Sequence, residues 1–143
     1  YYSSPTLFCP WYEISKNVTW YLMMNIKKII QSTFWITFSE FLRNEILFKN
    51  IWIKHYSFLG LNFKTSPLNG FLWLVWSLIF TLMIYKISIK FNKKDTLIIS
   101  WSIAFLMMWI TLFNLQILPL TLLIYALPLS ILETYIAYII IKK

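Results

Sequence analysis

From Ile29 onward the chain alternates long apolar runs with short basic or polar breaks. A helix needs roughly 20 apolar residues to cross the hydrocarbon core of a bilayer. Three runs meet that length cleanly. One extends from Leu68 to about Ser88 and opens at Ser66-Pro67, with proline at the first helical position. The next extends from Thr96 to about Phe113, with Asp95 as the expected cap. The last runs from Leu120 to Ile141 after Pro119, so the final two runs form an antiparallel hairpin across a short connection.

A fourth run, first in chain order, spans Ile29 to about Phe48 and carries Glu40, Arg43, Asn44 and Glu45 in its second half. It is read as membrane-spanning because Lys27 and Lys28 anchor its start and because the lysine distribution then balances. After it, Phe48, Ile51, Trp52, His55 and Leu59 recur at helical spacing opposite Lys49, Asn50, Lys54 and Ser57. That pattern predicts a short helix in the outer headgroup layer, with Trp52, Lys54 and His55 as its interfacial residues. The expected fold class is all-α, a polytopic membrane protein of four transmembrane helices plus this short outer interfacial helix.

Composition agrees: 59% of the 143 residues are hydrophobic and 13% charged, against about 25% charged in ordinary soluble domains. Eight lysines (Lys27, Lys28, Lys86, Lys90, Lys93, Lys94, Lys142, Lys143) fall on one side of the predicted topology and three (Lys49, Lys54, Lys64) on the other. By the positive-inside rule the amino end of the helical part and the carboxyl end are expected on the cytoplasmic side. The net charge of +8 therefore points to anionic headgroups and not to nucleic acid. Cys9 has no second cysteine to pair with. Residues 1–23 contain Pro5 and Pro10 and show no clear helical pattern, whereas Met24 is followed by Asn25, Ile26, Lys27 and Lys28. The native protein is accordingly expected to begin at Met24, with the preceding stretch a leader.

Candidate chemistry rests on polar residues inside the spans. Ala126, Ser130, Glu133, Thr134 and Ala137 share one helical stripe, so Glu133 is expected to face neighbouring helices near mid-membrane. Thr33, Thr37, Glu40 and Asn44 form a second stripe with Arg43 on its flank. Buried carboxylates in membranes are costly and have partners. Two readings follow. In one, Glu40 pairs with Arg43 and Glu133 is protonated or bonded to hydroxyls; in the other, Glu133, Glu40, Arg43, Asn44, Ser130 and Thr37 line a polar site for a proton or small cation. Ser77 with Thr81, and Ser100 with Ala104, mark the expected contact faces of the middle spans. Trp73, Trp76, Trp101 and Trp109 are expected to anchor span ends, Asn114 and Gln116 to shape the hairpin turn, and Pro128 to kink the last span. His55 lacks companions at ligand spacing, so no metal site is expected, and Gly60 and Gly70 head no phosphate loop, so no cofactor is expected.

From Met24 onward, the stretches SEFLRNEILFKNIWIKHY and FNLQILPLTLLIYALPLSILE look like those of small four-span membrane proteins of bacteria. In size and helix count the chain also resembles the small multidrug resistance transporters, although it is bulkier, more aromatic and has two glycines. That resemblance implies a first-helix glutamate exchanging protons for cationic compounds, with Glu40 at the matching position. The expected role is proton- or cation-linked transport by a small homo-oligomer in the lipid bilayer. The alternative is a non-catalytic scaffold presenting its outer loop to a partner, and neither reading is enzymatic.

Overall fold

The computed structural model describes the backbone of residues 10–63 and 66–143, and side chains from Asn25 onward apart from residues 64 and 65. Cys9 and the side chains of the expected leader lie outside the described residues, although the backbone of that stretch, read as without a helical pattern, is helical from Pro10. The described structure is all-helical: α1 (Pro10–Phe41), a π-helical segment (Leu42–Leu47), α2 (Lys49–Phe58), α3 (Pro67–Lys90), α4 (Lys93–Trp101), a second π-helical segment (Ser102–Leu106), α5 (Met107–Asn114) and α6 (Leu120–Lys142). Through its π segment, α4 continues into α5.

Local chemistry explains the helix ends. Ser66 caps α3 by accepting from the Asn69 amide, with Pro67 at the first helical position. At α4 the cap is Asn92, whose side chain accepts from the Asp95 amide at 2.9 Å. The expected cap, Asp95, instead accepts from Asn92 Nδ2 at 2.8 Å within the first turn. After α5 the chain turns on Gln116 in the left-handed region (φ 58°), and the Ile117 amide reaches back to the Leu112 carbonyl at 3.0 Å. Pro128 is accommodated inside α6.

α1 packs on α3 and α6, α4 packs on the same two helices, and α3 touches α6. The carboxyl-terminal ends of α3 and α6 lie together, because Lys142 Nζ donates to the Ser88 carbonyl at 2.6 Å. The start of α4 joins them, with Lys93 Nζ 4.7 Å from the Tyr135 ring centroid. This is the lysine-rich end; α2 and the 115–119 turn mark the other.

The interior is inverted relative to a soluble domain. Ser32, Thr33, Ser77, Thr81, Ser88, Thr96, Ser100, Ser130 and Thr134 are buried, while Phe34, Phe38, Leu78, Leu82, Ile98, Ile110, Ile124 and Ile131 are exposed. An outer surface of this kind is stable in hydrocarbon, not in water. Among the described residues three helices are long and apolar enough to cross a membrane: Pro67–Lys90, Lys93–Asn114 and Leu120–Lys142. The first run is not among them. Its carboxylates and arginine lower its hydropathy, although Ile26, Ile30, Phe34 and Phe38 form an exposed apolar stripe along α1. The expected contact residues Ser77, Thr81, Ser100, Ala126, Ser130, Glu133, Thr134 and Ala137 are buried, and Ala104 is half-buried.

Of the four tryptophans expected to anchor span ends, Trp76, Trp101 and Trp109 pack in or against the core, and Trp73 stacks edge-on against Trp76. Trp101, Trp109, Phe105, Trp76 and Phe80 form a continuous aromatic cluster with neighbouring ring centroids between 5.2 and 6.0 Å apart. Aromatic rings suit both a lipid interface and a packed core, and here packing takes them.

A buried arginine between two carboxylates

Glu40 lies in the last turn of α1, and the chain widens directly after Phe41. The Phe48 amide bonds the Arg43 carbonyl at 2.9 Å, five residues back, which is the π-helical pattern often found at functional sites. Arg43 lies in this segment and Glu133 in the middle of α6. Glu40 and Glu133 are each 1% exposed and Arg43 is 5% exposed, so all three are buried.

Arg43 joins the two acids. Its Nη2 donates to Glu40 Oε1, and its Nη1 lies 3.3 Å from Glu133 Oε2. Each carboxylate is further held from its own side. Asn44 Nδ2 donates to Glu40 Oε2 at 2.8 Å, and Trp52 Nε1 of α2 donates to Asn44 Oδ1 at 3.3 Å. The Ser39 hydroxyl donates to Glu133 Oε2 at 2.8 Å, and Trp35 Nε1 donates to the Glu133 carbonyl at 3.2 Å. Below the guanidinium lies Phe105 of the second π segment, its ring centroid 5.1 Å away.

The charges do not cancel. Two carboxylates share one guanidinium, and Glu133 Oε1 is buried without a hydrogen-bond partner among the described residues. A buried unpaired charge is expensive in a low-dielectric interior. With both carboxylates ionised, the group needs one more positive charge, whether a proton or a small cation.

Of the six residues assigned from sequence, four meet: Glu133, Glu40, Arg43 and Asn44. Ser130 is engaged elsewhere, donating to the Leu127 carbonyl at 2.8 Å and accepting from Trp101 Nε1 at 2.9 Å. Thr37 donates to the Thr33 carbonyl at 2.9 Å and lines a recess of about 380 Å³ that also touches Glu40. Ser39, Trp35 and Phe105 belong to the site but lie off the stripes that pointed to it. Of the three loop residues, Trp52 is drawn into the site through Asn44, Lys54 is exposed, and His55 Nε2 is buried without a partner among the described residues. Those residues contain no cluster of three or more His, Cys, Asp or Glu placed to hold a metal ion.

A larger cavity, about 520 Å³, opens between the π segment, α2, α3, α5 and α6. Glu40, Arg43 and Asn44 lie at its polar wall, and Trp52, Trp76 and Trp109 are among its aromatic walls. Glu40 and Arg43 are thereby approached from the α2 end, whereas Glu133 does not line this cavity. Compared with known proteins, the chain matches no family, no curated relative and no solved structure. The fold defines its class only as an all-helical protein with three helices fit to cross a membrane.

Proposed function

We propose that the protein is a four-span inner-membrane protein that exchanges a proton or a small cation at the Glu40–Arg43–Glu133 site, as the coupling step of a transport cycle. The observation that carries this reading is the charge imbalance: one buried guanidinium is shared by two buried carboxylates from different helices. Such a group accepts one positive charge and releases it when the surroundings change, which is what ion coupling requires. The cavity beside Glu40 gives the site an approach from the α2 end.

α1 serves as the fourth span, with its apolar stripe toward lipid and its polar stripe toward α3 and α6. With the lysine-rich end on the cytoplasmic side, α2 lies at the outer surface as an interfacial helix. The test is flux in vesicles reconstituted with purified protein under an imposed proton or cation gradient. Glu133→Gln keeps the shape and hydrogen bonding of the side chain but removes its charge. The reading expects gradient-driven flux in the parent and flux at the protein-free level in Glu133→Gln, with the helical content of both unchanged. Equal flux in parent and variant contradicts it, as does a parent that conducts nothing.

A further inference from the structure

The cavity beside Glu40 opens toward the α2 end, but Glu133 Oε1 is not part of its lining. The interior toward the lysine-rich end is different in kind. Ser32 Oγ, Thr33 Oγ1, Thr81 Oγ1 and Ser100 Oγ are all buried, and none has a hydrogen-bond partner among the described residues. Together with Glu133 Oε1 they contribute unpartnered oxygens from α1, α3, α4 and α6.

These oxygens lie at neighbouring depths. Trp35 and Ser39 both bond Glu133, and Ser32 and Thr33 follow within about two turns toward the lysine-rich end. Lys142 meets Ser88 at that end; counting from this contact, Glu133 stands about 13 Å up α6 and Thr81 about 10 Å up α3. Trp101 bonds Ser130, which sets its neighbour Ser100 beside the same stretch of α6. Ser88, Thr96 and Thr134 are further buried hydroxyls in this half of the bundle. Toward the α2 end the core becomes Phe80, Phe105, Trp109 and Leu122, with no comparable run of hydroxyls.

Buried polar groups in native proteins are nearly always satisfied by protein or by ordered water. Serine and threonine in a membrane helix commonly bond their own backbone, as Thr134 does to the Ser130 carbonyl at 2.9 Å. Four hydroxyls do not, and ordered water is the partner that such buried groups otherwise take. We propose that Ser32, Thr33, Thr81 and Ser100 line a narrow hydrated path from the lysine-rich end to Glu133, conducting a proton or a small monovalent cation to it. This rests on the reading that Glu133 exchanges such an ion, and adds that loading occurs from the lysine-rich side while the cavity reaches Glu40 and Arg43 from the other.

The experiment is cysteine accessibility in the full chain, in a Cys9→Ser background. Ser32→Cys and Ser100→Cys are near-isosteric replacements on two different helices, so loss of one variant leaves the other. Lys94→Cys and Asn114→Cys report the two ends. Sided membrane vesicles are exposed to Ag⁺, a small cation that captures thiols reachable by water, and the remaining thiols are counted with a maleimide after denaturation. The proposal expects Ag⁺ to protect Ser32→Cys and Ser100→Cys only from the side on which it protects Lys94→Cys. Thiols untouched from both sides, or reached only from the Asn114 side, overturn it. The result is separable from the flux test: Ag⁺ access without flux in the parent leaves the hydrated path standing and removes the transport reading, whereas flux without Ag⁺ access does the reverse.

Discussion

The guanidinium carbon of Arg43 lies 5.1 Å from the ring centroid of Phe105, and each residue belongs to a π-helical segment. Two helices thus depart from α geometry at the level where they face each other. The ring supplies a flat apolar floor with a negative face, which holds the guanidinium while its donors reach sideways to the two acids.

Phe105→Leu should therefore destabilise the protein by about 1–2 kcal/mol, through lost packing and a lost cation–π contact. In an Arg43→Met background the cation–π part should vanish, leaving a smaller cost. Unfolding in mixed micelles reads both values. Equal costs in the two backgrounds would show that Phe105 merely fills space.

Trp52 extends the site to α2 through Asn44. Trp52→Phe retains an aromatic ring but removes the indole N–H, and should cost about 1 kcal/mol. The same change should be nearly silent once Asn44→Ala has removed the acceptor. A full cost in both backgrounds would place the value of Trp52 in its packing.

Gln116 occupies a left-handed conformation at the turn between α5 and α6. A side chain there costs roughly 1–2 kcal/mol, part of which glycine loses again through unfolded-state freedom. Gln116→Gly should raise stability by about 0.5–1 kcal/mol net. A fall in the melting temperature would mean that the glutamine side chain holds the turn by contacts of its own.

Much of this arrangement is legible in the sequence, and the limits are physical. The stripe from Ala126 to Ala137 carries Glu133 inward because α6 keeps one regular period over that stretch, so face assignment by counting works. Counting also brings Arg43 and Asn44 to Glu40, three and four residues on, but it does not show that the helix widens beyond Phe41. Nothing local in Leu42–Leu47 announces a π-helix; the segment fits because Arg43 gains two carboxylates. Ser39 was missed for a related reason, since it precedes Glu40 and lies off the polar stripe, yet α6 comes close enough for its hydroxyl to reach Glu133. Asn92 and Asp95 are both capping residues three apart, and the sequence does not say which one the backbone selects. The inward turn of Trp76, Trp101 and Trp109 was equally hidden, because composition alone does not distinguish a ring at a lipid interface from one in a core.

The central claim is that Arg43 is held in common by Glu40 and Glu133, and a double-mutant cycle measures it most directly. Unfolding free energies of the parent, Arg43→Gln, Glu133→Gln and the double variant should give a coupling of about 2–3 kcal/mol between the two positions, with the double variant more stable than Arg43→Gln alone. A coupling below about 0.5 kcal/mol, the level expected of residues that do not touch, would contradict the bridge and with it the shared site.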